Sequence, residues 1–162
     1  MRKVNINEIT ENSWTSPKGK YGGFGKNVSI ELGRNDRSTD LRERHPFDLE
    51  ILRLAPGQTP YPYHSHSAQW EFYHVISGTG LVRHKDGTTP VEEGDAFLFR
   101  PDEPHTITND GTSDLVILVI ADNPIGESGY YPDSKKWLVR SPKRTIIKPQ
   151  SPDGEDYFLD EE

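Results

Sequence analysis

Apolar and polar positions along the chain alternate with a period of two far more often than with a period of roughly 3.6. Runs such as DLEILRL (48–54), EFYHVIS (71–77) and LVILVIA (115–121) are rich in branched and aromatic residues. Few windows keep apolar residues at helical spacing beyond two turns, so helix should be scarce. The pattern predicts strands over 27–32, 48–54, 61–66, 70–77, 80–84, 95–99, 105–109 and 115–121, with a weaker one over 145–148. Between them stand turn signals rich in Gly, Pro and Asp: APGQTP, SAQ, SGTG, KDGTTPVEEGD, RPDEP and NDGTSD. Short strands at this regular spacing read as an all-β sandwich or barrel. LVILVI at 115–120 is apolar on both faces, so its outer side should be covered by the N-terminal segment or by a second copy of the chain. Residues 1–26 and 122–162 show no regular period and are expected to form irregular arms around a barrel core at 27–121.

The length of 162 residues suits one domain. Lys and Arg total 19 against 26 for Asp and Glu, a formal net charge of −7, and the C-terminal end is markedly acidic. Such a surface repels phosphate backbones and anionic lipid, and no helix-turn-helix or basic stripe is present, so neither nucleic acid nor membrane is an expected partner. The chain has no cysteine, so disulfides and thiolate ligands are excluded and any metal must be held by nitrogen and oxygen. The opening MRKVNINEIT lacks the apolar stretch of a leader, and no run approaches transmembrane length. A soluble cytoplasmic protein is the resulting expectation.

The densest chemistry lies in YPYHSHSAQWEFYHVISGTG, residues 61–80. His64 and His66, two apart on one strand, point the same way and can converge on one ion. Glu71 follows on the next strand, where an inward carboxylate is the better fit to the flanking aromatics, and RPDEPHTITN delivers His105 directly after Pro104. Three imidazoles and one carboxylate suit a borderline divalent ion such as Fe, Mn, Co, Ni or Zn, with positions left for water or substrate. The same residues could also persist in a barrel that uses no ion. His74 has the opposite parity to Glu71 and should face outward; His45 and His84 read as solvated. Tyr61 and Tyr63 should pack outside the site, whereas Tyr73, Phe97 and Phe99 could be cavity walls or plain core. Asn109 reads as a hydrogen-bonding turn residue. Besides Glu71, no second carboxylate is placed at the site by pattern; Arg100 or Glu103 at its mouth could take part in proton transfer, and no catalytic residue is assigned.

These residues resemble the cupins, whose first motif has the form G-x5-H-x-H-x(3,4)-E-x6-G and whose second has the form G-x5-P-x-G-x2-H-x3-N. The first is matched by Gly57, His64, His66, Glu71 and Gly78, with six residues rather than five between Gly57 and His64. The second is matched by Gly94, His105 and Asn109, but Arg100 and Asp102 stand where the family has Pro and Gly. A local change of loop shape that keeps His105 in place is expected there. WTSPKGKYGGFG and VIADNPIGESGYYPDSKKW extend the likeness to a group of one-domain bacterial cupins of unsettled function. The resemblance implies a double-stranded β-helix (jelly-roll) barrel, one divalent metal held by His64, His66, Glu71 and His105, and a homodimer.

A positive ion in a largely apolar barrel attracts small anions and polarises bound oxygen. Enediols, 2-oxo acids, catechol-like phenolates and sugar carbonyls all suit it. Two functions follow: a metal-dependent enzyme of dioxygenase or isomerase type acting on a small oxygen-rich molecule, or a non-catalytic binding or sensing module using the same cavity. Nitrogen and oxygen ligands do not select one metal from the set.

Overall fold

A computed structural model describes residues 1–38, 40–140 and 144–147. The strands are β1 (Asn12–Thr15), β2 (Gly22–Asn27), β3 (Phe47–Leu54), β4 (Ser65–His66), β5 (Glu71–Ser77), β6 (Thr79–His84), β7 (Gly87–Glu92), β8 (Ala96–Phe99), β9 (His105–Thr108), β10 (Leu115–Asp122), β11 (Ser128–Tyr131), β12 (Lys136–Arg140) and β13 (Arg144–Ile147). One sheet has the order β1-β2-β3-β10-β5-β8. Opposite it lie β7-β6-β9 and β13-β12-β11-β4. These two are joined where His64 and His105 exchange backbone hydrogen bonds of 3.1 and 2.8 Å. The result is the all-β double-stranded β-helix that the strand spacing and the family resemblance anticipated.

Alternation along the strands decides what fills it. On the inner face of the large sheet, Leu52 and Leu54 of β3, Leu115 and Ile117 of β10 and Val75 of β5 meet Val82, Val91 and Ile107 from the opposing layer. Leu54, Val75, Leu115 and Ile117 are wholly buried; burial of each such side chain stabilises by about 1.5–3 kcal/mol. Gly78 makes the tight turn between β5 and β6 at φ +86°, and a Cβ there would collide with the Asp114 carbonyl.

Two further rows cross the same face toward the other end. Glu50, Val119, Tyr73 and Phe97 stand in register across β3, β10, β5 and β8, followed by Asp48, Ala121, Glu71 and Phe99. Aliphatic packing thus closes one end of the barrel, and at the other end the rows turn polar around a cavity of about 250 Å³.

Several expectations need correction. Residues 28–31 form a short helix, α1 (Val28–Glu31), rather than continuing a strand over 27–32. The Asn27 side chain accepts from the Ile30 N–H at 3.1 Å, a helix-start bond that competes with sheet pairing. Residues 61–66 pair only at their end, because Pro60 and Pro62 supply no N–H to a ladder. The stretch taken for a turn at 85–95 contains β7, an edge strand paired only to β6, where Pro90 is tolerated. The arms are also more regular than expected. β1 and β2 extend the large sheet alongside β3, and β11 pairs with β4 beside the histidines. The predicted weak strand over 145–148 is found as β13; Lys148 and the acidic C-terminal end lie outside the described residues. Val116, Leu118 and Ile120 on the outer side of β10 are half-buried. No helix among the described residues is long and apolar enough to cross a membrane.

Candidate metal centre

The four sequence-predicted ligands come together. His64 and β4 supply two imidazoles, β5 supplies Glu71 and β9 supplies His105, with one possible ligand atom from each lying within 4.8 Å of all the others. His64 Nε2 and His66 Nε2 are 3.1 Å apart, His105 Nε2 is 2.8 Å from Glu71 Oε2, and His66 Nε2 is 3.5 Å from Glu71 Oε1. His66 and His105 are buried, and the Glu71 carboxylate points inward.

Each imidazole is held by its other nitrogen. His64 Nδ1 lies 2.8 Å from the Pro62 carbonyl, His105 Nδ1 3.0 Å from the Glu103 carbonyl and His66 Nδ1 3.1 Å from Glu127 Oε1. A carbonyl or carboxylate can only accept, so each Nδ1 donates to its partner and each ring turns its Nε2 toward the cluster, where that nitrogen offers a lone pair once it carries no proton. Three lone pairs and a carboxylate aimed at one region form a donor set that could hold a divalent cation. Aromatic packing fixes the ring planes as well: Phe99 stacks on His105 at 4.0 Å and Tyr131 on His64 at 5.7 Å between centroids.

Electrostatics favour the ligating protonation states. Burial, reinforced by the neighbouring charge of His66, lowers His64 to about 4, so its ring is neutral at neutral pH. Burial opposes ionisation of Glu71, but the His105 hydrogen bond and the charges that His66 and His105 carry when protonated outweigh it and hold the carboxyl below the usual range. The Tyr73 hydroxyl donates to Glu71 Oε2 at 2.8 Å. Burial and the Glu71 charge hold that phenol well above its ordinary value, so it remains a donor.

Glu127 went unnoticed in the sequence. It accepts from His66 and from the N–H groups of Ser67, Ala68 and Gln69, each at 3.1 Å. Burial works against its ionisation, yet the His66 hydrogen bond and these backbone donors keep its carboxyl below the ordinary range. No local pattern marks Glu127, since it reaches His66 only because β11 pairs with β4. Glu127→Gln keeps the side-chain volume and removes the charged acceptor; divalent-cation affinity is expected to fall about 10- to 100-fold, read by competition with a chelating dye.

The opposite wall is also polar. Glu50 lines the cavity, and burial first, then the charges of Asp48 and Glu71, raises its carboxyl to about 7. Arg34 donates to Asp48 Oδ2 at 2.7 Å and to Asn123 Oδ1 at 3.0 Å. The pattern missed Glu50 because DLEILRL looks like a half-solvated strand unless the inward face of β3 is known.

Other candidates fall elsewhere. Arg100 and Glu103 pair with each other at 2.7 Å, and neither side chain lines the cavity, which removes them as proton-transfer candidates. Asp102 has φ +64°, the left-handed region where glycine is easiest but aspartate is tolerated, and its N–H bonds the His66 carbonyl at 2.8 Å. The departure from glycine there is therefore absorbed by one residue. His74 faces away, 3.2 Å from the Asp95 carbonyl, and His84 bonds Thr89. Tyr63 is buried beneath Arg83, whereas Tyr61, expected outside, stacks on Trp14 and lines the cavity mouth. Tyr73, Phe97 and Phe99 all line the cavity.

A family model described as a cupin domain matches residues 50–121. An oxalate-binding protein from Thermotoga maritima is 29% identical over 69 residues, 43% of this chain and 56% of that protein. The match therefore spans little more than half the length of that curated relative. Among solved structures, a sugar phosphate isomerase of the cupin superfamily from Silicibacter pomeroyi superposes with a TM-score of 0.76 at 20% identity, covering 93% of this chain and 98% of that one. A predicted oxalate decarboxylase from Thermotoga maritima gives a TM-score of 0.61 at 21% identity, covering 75% and 99%. At these identities the structural likeness concerns the fold alone. The matched segment contains all four converging side chains, so the cluster lies within the part of this chain, residues 50–121, that matches the cupin-domain model.

Proposed function

We propose that the chain is a metal-dependent enzyme of isomerase type, holding one divalent cation on His64, His66, Glu71 and His105 and acting on a small oxygen-rich molecule. The observation that carries this reading is the set of three imidazoles, each anchored through Nδ1, around one inward carboxylate on the wall of an internal cavity. At about 250 Å³ that cavity is smaller than most ligand pockets, which favours a compact substrate. A bound divalent cation would polarise a carbonyl oxygen and stabilise the negative charge that develops on it.

The chain's own groups supply the remainder. Tyr73 steadies the Glu71 carboxylate with its hydroxyl, Phe97, Phe99 and Val119 exclude water from one side, and Glu50 provides an ionisable group on the far wall. Isomerisation needs no co-substrate, which suits so small a space better than oxygen chemistry does. The names of the similar proteins, a sugar phosphate isomerase and an oxalate-binding protein, both concern small polyoxygenated molecules.

The oxalate-binding relative also favours a second reading, a non-catalytic binding module. The test is to purify the chain without chelator, identify the metal by elemental analysis, and screen sugar phosphates, 2-oxo acids and catechols for turnover and thermal shift. Stoichiometric metal with isomerisation supports the enzyme. Stabilisation without turnover of any of them would leave the module.

A further inference from the structure

We propose that Glu50 is the acid–base residue of this cavity, exchanging a proton with a carbon atom of a substrate whose oxygens face the cluster of His64, His66, Glu71 and His105. The inference rests on the cavity reading above and assigns it a residue outside both cupin motifs.

The placement is geometric. Glu50 lies on the inner face of β3 in the row of Val119, Tyr73 and Phe97, one row from Glu71 and two strands away from it. Strands two apart are separated by about 9–10 Å, room for a small planar molecule between the carboxylates. The Glu50 carboxylate makes no hydrogen bond or ion pair with the described residues. Its charged neighbours are Asp48 on the same strand, which Arg34 engages, and Glu71 across the cavity. On β2 the place beside it is kept open by Gly25, where a Cβ would collide with Glu50 Oε1. A half-buried carboxylate that lines the cavity without a hydrogen-bond partner among the described residues is open to a ligand there, and a role in proton transfer accounts for its position. Burial and the two neighbouring carboxylates raise Glu50 to about 7, so both of its protonation states are accessible near neutrality.

For an α-hydroxycarbonyl compound the step balances without any oxidant. The Glu50 carboxylate takes the proton from the carbon bearing the hydroxyl, the C–H pair becomes the C=C bond, and the carbonyl π pair moves to its oxygen. The resulting enediolate turns both oxygens toward the cluster. Glu50 then returns the proton to the former carbonyl carbon, the hydroxyl proton passes to the other oxygen, and the carbonyl has moved by one position.

Oxalate, a planar dianion with adjacent oxygens, imitates the enediolate at the stage when Glu50 holds the proton. Its binding to the Mn²⁺-loaded protein is measured at pH 8 by calorimetry in buffers of different ionisation enthalpy. Wild type is expected to take up about one proton per oxalate bound, with affinity falling about tenfold per pH unit above that point. Glu50→Gln, with unchanged metal content and no loss in Tm, should bind oxalate with no proton uptake and a flat pH dependence; Glu50→Asp should restore the uptake. Uptake that persists in Glu50→Gln, or binding by wild type with none, overturns the assignment of Glu50 and leaves the cavity reading standing. Failure of the Mn²⁺-loaded wild type to bind oxalate overturns the cavity reading together with this inference.

Discussion

Replacing His66 by alanine is expected to lower divalent-cation affinity by more than about 100-fold. Outer partners that merely orient a ligating imidazole are worth about 10–100-fold, and this change removes the ligand itself. It also strands the Glu127 carboxylate, whose remaining acceptor bonds run only to Ser67, Ala68 and Gln69. The measurement is metal stoichiometry and affinity after dialysis against a weak chelator, with circular dichroism as the check on folding. His74→Ala is the matched control: that ring lies on the other face of β5, against the Asp95 carbonyl, and its loss should leave affinity unchanged. Wild-type affinity in His66→Ala would remove the cluster from consideration as a metal centre.

The second large effect is on stability. Asn109 is wholly buried; its Nδ2 donates to the Leu54 and Ser113 carbonyls at 2.7 and 2.8 Å, and its Oδ1 accepts from the Gly111 N–H at 2.9 Å. Asn109→Ala leaves the buried Leu54 carbonyl without this donor, at about 1–3 kcal/mol, and removes the partners of the Ser113 carbonyl and the Gly111 N–H, which lie nearer solvent and cost less, together with the packing of the buried amide itself. A loss on the order of 3–5 kcal/mol is expected in urea unfolding, equivalent to a Tm lower by about 10 °C for a chain of this size. Cation binding in the folded fraction should survive, because Asn109 ties the end of β9 to β3 and touches none of the ligands. A loss below about 1 kcal/mol would mean that water replaces the amide and that the turn is not held by it.

Legibility in the sequence followed the range of the interactions. Period-two alternation marked β3, β5, β6, β8, β9 and β10, because one face of each meets the apolar interior and the pattern is written within a single strand. His64, His66, Glu71 and His105 could be proposed for the same reason: parity within a strand and a proline before His105 already constrain where those side chains point. Glu127 could not be found that way. Its role depends on the pairing of β11 with β4, and nothing in NPIGESGYY encodes that partner locally. Glu50 was hidden by a related effect. Its strand reads as apolar with scattered charges, and only registry with Tyr73 through Val119 shows that Asp48 and Glu50 lie on the cavity side. Helix α1 was misread as strand because Val28 and Ile30 carry strand propensity, while Asn27 capping and Ser29, whose hydroxyl accepts from the Leu49 N–H at 2.7 Å, override it.

The backbone bridge between His64 and His105 joins two portions of the layer facing the large sheet, while Glu71 belongs to the large sheet itself. An ion shared by these side chains would therefore act as a rivet through the sandwich, available only when both halves have closed. By mass action, free metal at about a thousand times its dissociation constant adds roughly 4 kcal/mol to the folded form. On that basis the melting point of this chain is a property of its ionic surroundings as much as of its own packing.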